Sequence, residues 1–343
     1  MKASIIGTTG YGGAELLRIL QHHPYFQIQS IHSTRGEAPV SDEYPHLLGI
    51  NRQTLEGIDI ENISEQSDVV FLAAPSGASG QLAGQFAGRD IKVIDLSGDL
   101  RLPEDQYITW YKKDPADVSV IEESVYGLSE WNREKIEGAD IIANPGCYPT
   151  AALLGLAPAL LGGLIKPHGI IIDAKSGISG AGRSPSKGTM FAEMSENFKI
   201  YKVNEHQHTP EIEQQLKLWN KDTSPITFST HLIPAVRGIM ATMYGELDEG
   251  ITAEAAASAY REAYEAAPFV RVRAPGNFPA TKEVTGSNYC DIGLSADKRT
   301  GRLTIVAVID NLMKGAAGQA VQNANLMFGF PEKAGLDFIP IFP

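Results

Sequence analysis

Cys147 stands in the run Ile141-Ile142-Ala143-Asn144-Pro145-Gly146-Cys147-Tyr148-Pro149-Thr150, where an apolar strand ends and a helix begins. Pro145 and Gly146 break the strand. Pro149 and Thr150, followed by Ala151-Ala152-Leu153-Leu154, are suited to start the helix. A helix N-terminus presents unpaired N–H groups and a partial positive charge, which favour thiolate over thiol. The same amides stabilise the oxyanion that forms when a thiolate attacks a carbonyl. The competing reading is a buried cysteine that packs as a small hydrophobe.

Chemistry at a thiol needs an acid or base. The segment Tyr201-Lys202-Val203-Asn204-Glu205-His206-Gln207-His208-Thr209-Pro210-Glu211 supplies two histidines. At i, i+2 in an extended chain they point to opposite faces, so one of them faces the thiol. His208, just before the helix-starting Thr209-Pro210-Glu211, is preferred, with His206 second. A metal reading of this pair lacks a nearby third ligand. Two segments offer cationic recognition of an anionic substrate. Arg101 follows a strand in Asp95-Leu96-Ser97-Gly98-Asp99-Leu100-Arg101, and Arg183 closes the small-residue loop from Lys175 through Ser179 and Gly180. Against these stand a surface ion pair for Arg101 and an interface hairpin for the loop.

Such groups need a scaffold and a redox partner, and the N-terminus suggests both. A strand, Ala3-Ser4-Ile5-Ile6, is followed by Gly7-Thr8-Thr9-Gly10-Tyr11-Gly12-Gly13 and an amphipathic helix from Ala14. Glycines spaced G-x-x-G-x-x-G between a first strand and a first helix serve a tight turn and close approach to a pyrophosphate. The second strand, Ile28 to His32, ends at Ser33-Thr34-Arg35-Gly36. An NAD site usually places a carboxylate there, whereas two hydroxyls and an arginine suit a 2′-phosphate, so NADP is expected over NAD. A tight turn without ligand and a solvated loop are the plainer alternatives.

The 343 residues exceed what one hydrophobic core serves, so two domains are expected. Composition is that of a globular protein, 43% hydrophobic and 20% charged. No apolar run has membrane-span length and the N-terminus lacks a signal-peptide pattern, so a cytoplasmic setting is expected. A formal charge of −12 argues against nucleic acid as a partner. Two cysteines, Cys147 and Cys290, fit a reducing compartment without a disulfide framework, and Cys290 reads as strand packing.

Strands and helices alternate through the first 150 residues. Val69 to Ala73 and Lys92 to Leu96 read as buried strands of a parallel sheet, and Gln81 to Ala87 reads as a helix after the loop Ala74-Pro75-Ser76-Gly77. Ligands bind at the carboxyl edge of such sheets, so the glycine loop and Cys147 are expected on one crevice. Beyond about residue 165, strands at Ile170–Ala174, Ile226–His231, Met240–Leu247 and Leu303–Ile309 alternate with helices at Glu211–Trp219 and Ala253–Ala266. This is an α+β pattern with a mostly antiparallel sheet. A last helix from Gly315 to about Met327 is expected to return to the first domain.

The stretch Ile142 to Pro158 resembles the active-site signature of N-acetyl-γ-glutamyl-phosphate reductases. Pro145, Gly146, Cys147, Tyr148, Thr150 and Pro158 all fit it. The likeness extends to Gly7–Gly13, the Ser176–Arg183 loop, the His206/His208 segment and Asn311 to Ala320, nearly the whole chain. It implies a Rossmann-type parallel-sheet domain (residues 1–147 and 312–343) joined to a glyceraldehyde-3-phosphate-dehydrogenase-like mixed-sheet domain (148–311). It further implies a homodimer or homotetramer and NADPH-dependent reduction of an acyl phosphate in arginine biosynthesis, through a Cys147 thioester. The implied cofactor contacts are Gly7, Thr9, Gly10, Tyr11, Gly12, Gly13, Ser33, Arg35, Ser76, Gly180 and Asn311. The implied substrate contacts are Arg101, Asn144, Ser179 and Arg183. The homologous aminoadipyl enzyme of lysine biosynthesis is the nearest alternative, since one methylene gives only about 1–3 kcal/mol of discrimination. Another semialdehyde dehydrogenase and a silent NADP-binding scaffold stand further off.

Overall fold

Fully apolar four-residue runs are buried on both faces when helices cover a parallel sheet, and Val69–Leu72 is such a run, with every side chain inaccessible. The computed structural model describes residues 1–34 and 36–342. It divides into two units, Met1–Pro145 with Ala316–Asp337, and Gly146–Gly315 with the last residues from Phe338.

The first unit holds eight strands: β1 (Lys2–Ile6), β2 (Gln27–His32), β3 (Ala38–Pro39), β4 (Thr54–Glu56), β5 (Val69–Leu72), β6 (Lys92–Asp95), β7 (Val125–Tyr126) and β8 (Ile141–Ala143). Their order is β3-β4-β2-β1-β5-β6-β8-β7, and every pair except β3/β4 is parallel. The order turns outward on either side of β1 and β5, which is where doubly wound sheets bind ligands. The C-terminal helix Gly318–Met327 packs in this unit against helices Tyr11–Leu20 and Ser129–Glu137. Four of its polar residues, Gln319, Gln322, Asn323 and Asn325, are inaccessible to solvent.

The second unit is built on β9 (Ile171–Ser176), β10 (Lys199–Tyr201), β11 (Thr227–Leu232), β12 (Ile239–Glu246), β13 (Val270–Val272), β14 (Cys290–Asp297) and β15 (Arg302–Ile309). The order is β10-β11-β9-β12-β15-β14-β13. Pairs β11/β9 and β13/β14 are parallel and the other four antiparallel, the mixed sheet expected. The helix Cys147–Leu161 lies against β12 and β15 and beside helices His208–Trp219 and Ala253–Ala263. Pro158 sits inside it and has no N–H for the carbonyl of Leu154. The Tyr264 hydroxyl donates to that carbonyl instead, so the proline stays in the helix without a buried orphan acceptor.

The two compact units divide at 145/146 and 315/316. Cys147 opens a helix whose body is packed in the second unit, and the residues up to Gly315 continue that packing. The final residues also join the second unit, where the Ile341 N–H donates to the Thr285 carbonyl at 2.8 Å. Among the described residues, no helix is long and apolar enough to cross a membrane.

Candidate active site

The helix bearing the cysteine begins at Cys147 itself, three residues before the expected start. Gly146 is its extended N-cap (φ −67°, ψ 157°). Pro149 therefore occupies the first turn, where its missing N–H costs nothing. Gly146 donates its own N–H to Glu211 Oε1 at 2.8 Å, and the Thr150 hydroxyl donates to the Gly146 carbonyl at 2.9 Å. The thiol is half-buried and free of any disulfide, whereas Cys290 is fully buried in β14.

The two histidines do not point to opposite faces. Their ring centroids lie 4.8 Å apart, because the chain is already turning: Gln207 is helical (φ −61°, ψ −14°) and His208 is the first residue of its helix. One helical turn on, Glu211 shares the His208 face and is inaccessible to solvent. The His208 helix thus sets a carboxylate on the N-cap of the cysteine helix.

His206 is held by its neighbours. Its Nδ1 accepts the His208 N–H at 3.1 Å, so the proton of the neutral ring is assigned to Nε2, 3.4 Å from the Tyr201 hydroxyl. Tyr201 donates to the Tyr148 hydroxyl at 3.2 Å, which donates to the His231 carbonyl at 3.2 Å. This is a directed chain, each oxygen accepting from the group before it. Burial, then the charges of His208 and Lys202, push His206 down to about 2. Burial, with Cys147 and Tyr201 charge beside it, pushes the Tyr148 phenol well above its usual range, and burial raises Tyr201 to about 12.

The small-residue loop lies in the same unit. Ser179 and Gly180 stand in a short 3₁₀ turn, Ile178–Ala181, that runs against residues 235–238: Ile178 and Ser179 donate to the carbonyls of Ala235 and Val236. Asn311 joins these segments, accepting the Gly238 N–H at 2.8 Å and donating to Ser179 Oγ at 2.9 Å. Gly180 lies over it, where an added Cβ would stand 3.8 Å from Asn311 Nδ2. Arg183 is half-buried beyond the turn.

In the first unit the glycines divide their work. Gly7 has φ +88°, and a Cβ there would meet the Ala73 carbonyl oxygen at 2.4 Å; at Gly13 it would meet the Gly7 oxygen at 2.6 Å. Those two permit backbone packing. Gly10 and Gly12 have no atom closer than 3.7 Å to such a Cβ, and no side chain caps the helix Tyr11–Leu20. Its first amides, of Tyr11, Gly12 and Gly13, lack intrahelical acceptors, which fits a pyrophosphate. Tyr44, absent from the sequence reading, clamps the loop by donating to the Thr8 and Gly10 carbonyls at 3.1 and 3.0 Å. Thr9 stands in the same turn. Ser33 follows β2 and is buried; Arg35 lies outside the described residues.

Ser76 sits in the loop after β5, half-buried, and its Oγ accepts the Gly98 N–H at 3.4 Å. Asp99 Oδ2 accepts the N–H groups of Gly77 and Gly80 at 2.7 and 2.8 Å, and Oδ1 accepts the Tyr107 hydroxyl at 2.7 Å. Burial raises the Asp95 carboxyl, which accepts from Ser79 and Ser97. Arg101 and Asn144, expected at the substrate, both carry hydrogen bonds within the first unit. Arg101 is buried and donates from Nε and Nη2 to the Asn144 and Leu96 carbonyls, both at 2.8 Å. The Asn144 amide is used at both ends, donating to Ala316 O at 3.2 Å and accepting from Asn323 at 3.1 Å. A strand-end polar residue reads the same from sequence whether it faces a ligand or anchors a turn.

The parallel unit with its open glycine turn, and the mixed-sheet unit with a helix-start thiol, are the two halves of a semialdehyde dehydrogenase. Residues 2–139 match the NAD-binding domain of that family and residues 147–311 its dimerisation domain. Aspartate semialdehyde dehydrogenase II of Vibrio cholerae has the same fold, with a TM-score of 0.71, 19% identity, and coverage of 96% of this chain and 98% of its own. The N-acetyl-γ-glutamyl-phosphate reductases of Bacillus subtilis (strain 168) and Geobacillus sp. (strain WCH70) are 56% and 54% identical over the whole of both chains. This chain belongs to the N-acetyl-γ-glutamyl-phosphate reductase family.

Proposed function

We infer that this chain reduces N-acetyl-L-glutamyl 5-phosphate with NADPH, giving N-acetyl-L-glutamate 5-semialdehyde, NADP⁺ and phosphate, in arginine biosynthesis. End-to-end identity with reductases of that name carries the reading, and the same observation disfavours the aminoadipyl alternative. The substrate is a small molecule, and a dimerisation-type second domain supports a homo-oligomer. A half-buried thiol outside any disulfide suits the reducing cytoplasm.

In this reading the Cys147 thiolate attacks the acyl-phosphate carbonyl. A C–S bond forms, the C–O bond to phosphate breaks, and a thioester remains on Cys147. NADPH, when bound, supplies the hydride that reduces the thioester carbon. The amides at the N-terminus of the cysteine helix stabilise the resulting oxyanion. His208 gives a proton to that oxygen as charge develops and takes it back as the C–S bond breaks, releasing aldehyde and thiolate. His206 supports His208: with Nδ1 accepting the His208 amide and Nε2 facing Tyr201, it has no acceptor left for a proton. Asn311 and Gly180 are assigned to the cofactor, and Ser179 and Arg183 to the substrate. Gly7 to Gly13 and Ser76 hold the dinucleotide, with Ser33 and Arg35 at the 2′-phosphate. Arg101 and Asn144 hold the exit of β8.

The test is NADP⁺ reduction by N-acetylglutamate 5-semialdehyde, with and without inorganic phosphate. Turnover that requires phosphate is expected, because only phosphorolysis frees the thioester. Phosphate-independent turnover would discard the acyl-phosphate product. Equal turnover with NAD⁺ would remove the 2′-phosphate role of Ser33 and Arg35.

A further inference from the structure

The end of β15 is tied down more heavily than a strand end needs. Asp310, inaccessible to solvent, accepts the Gly286 N–H at 2.7 Å, the Leu312 and Met313 N–H groups at 2.8 and 3.1 Å, and Arg237 Nη1 at 3.3 Å. The backbone then makes one wide π-type turn, Met313–Ala317, with Gly315 N–H donating to the Asp310 carbonyl at 3.0 Å. Such turns are rare and frequently mark functional sites. Here the turn delivers Gly315 to the nucleophile: a Cβ on Gly315 would stand 2.8 Å from Cys147 Cβ, 3.2 Å from its Cα and 3.3 Å from Ile309 Cδ1. Real Cβ atoms do not approach that closely, so Gly315 is required by the contact and not by its dihedral angles.

We propose that the Asp310–Gly315 turn positions Cys147, with Gly315 forming a backbone wall beside the thiol-bearing carbon and Asp310 fixing that wall. A wall on one side of Cβ removes the side-chain rotamers that would swing the sulfur toward it. The sulfur is thereby ordered before substrate arrives, and ordering of this kind acts on kcat. The adjacent Asn311 holds the Ser179 loop from the same turn, so one short segment sets both the nucleophile and a neighbouring loop. Neither Asp310 nor Gly315 touches the reacting atoms, so both are positioning residues. The proposal rests on Cys147 as nucleophile.

The experiment compares Gly315→Ala with the parent enzyme, using Cys147→Ala as control. Three quantities are read: kcat, KM for the aldehyde, and the pH-dependent rate of alkylation by iodoacetamide, which reports Cys147 because Cys290 is fully buried. The expected result is a kcat at least tenfold lower, KM within threefold, alkylation slowed at least fivefold, and NADP⁺ binding retained. Turnover and alkylation both within twofold of the parent would overturn the proposal. So would lost turnover with unchanged alkylation. Should Gly315→Ala not fold, Asp310→Asn is judged by the same three quantities. Activity surviving in Cys147→Ala would instead overturn the nucleophile itself, a separate failure.

Discussion

At the scale of single residues, the two histidines divide by what their nitrogens already do. His206 has both committed, one to the His208 amide and one toward Tyr201. Replacing His208 by Asn should lower kcat by about 10²-fold, the usual contribution of a general acid–base. His206→Asn keeps an amide oxygen able to accept the His208 N–H, so its loss should be several-fold only. Steady-state kinetics of the two variants check this, and the reverse ranking would exchange their roles. Cys147 was legible because Pro-Gly before it and Pro-Thr after it form a turn whose chemistry is local. Glu211 was visible only as part of a helix start. Its bond to Gly146 spans 65 residues, and no local pattern encodes a contact of that separation. The Asn144 bond to Asn323, 179 residues away, was equally invisible.

At the scale of elements, most strands and helices were readable from periodicity, while their first residues were not. The cysteine helix starts at Cys147 and the histidine helix at His208, ahead of their Pro149-Thr150 and Thr209-Pro210 signals, as a glycine N-cap and a helical Gln207 extend them. Loops held by buried carboxylates were invisible. Asp99 fastens the Gly77–Gly80 loop, next to Ser76, through two amides and the Tyr107 hydroxyl. Asp99→Ala leaves three donors, two of them buried, without that acceptor. It should lower unfolding free energy by about 3 kcal/mol and raise KM for NADPH more than it changes kcat. Denaturant unfolding and cofactor titration measure the two effects. An unchanged KM would confine Asp99 to stability.

At the scale of the whole molecule, the two fold classes were legible from the change of pattern near residue 165. The return of the chain to its first unit was legible from a helix following the last strand. What sequence could not carry was the burial of charge and polarity that makes stability depend on pH. His206 is neutral in the fold, pushed down to about 2 from an ordinary value of 6.5, chiefly by burial. The unfolded chain therefore binds more protons between those values, so this contribution is complete above about pH 6.5 and is lost as pH falls toward 2. One proton gives a slope of about 1.4 kcal/mol per pH unit. His206→Asn should flatten the acid limb of the stability curve by that slope. A limb of unchanged steepness in chemical denaturation would show that His206 is not buried neutral.

The buried amides of the C-terminal helix also fix an order of assembly during synthesis. Gln319 and Asn323 donate to the Gly127 carbonyl at 2.9 and 2.8 Å, and Asn323 accepts from Ser129 and donates to Asn144. Those partners leave the ribosome nearly two hundred residues before the helix that completes them. Throughout that interval the whole stretch Gly146–Gly315 emerges and is free to fold as a unit. The half made first is therefore finished last. A nascent chain halted near residue 315 carries a complete Cys147 helix while the polar seam of its first unit is still open to water.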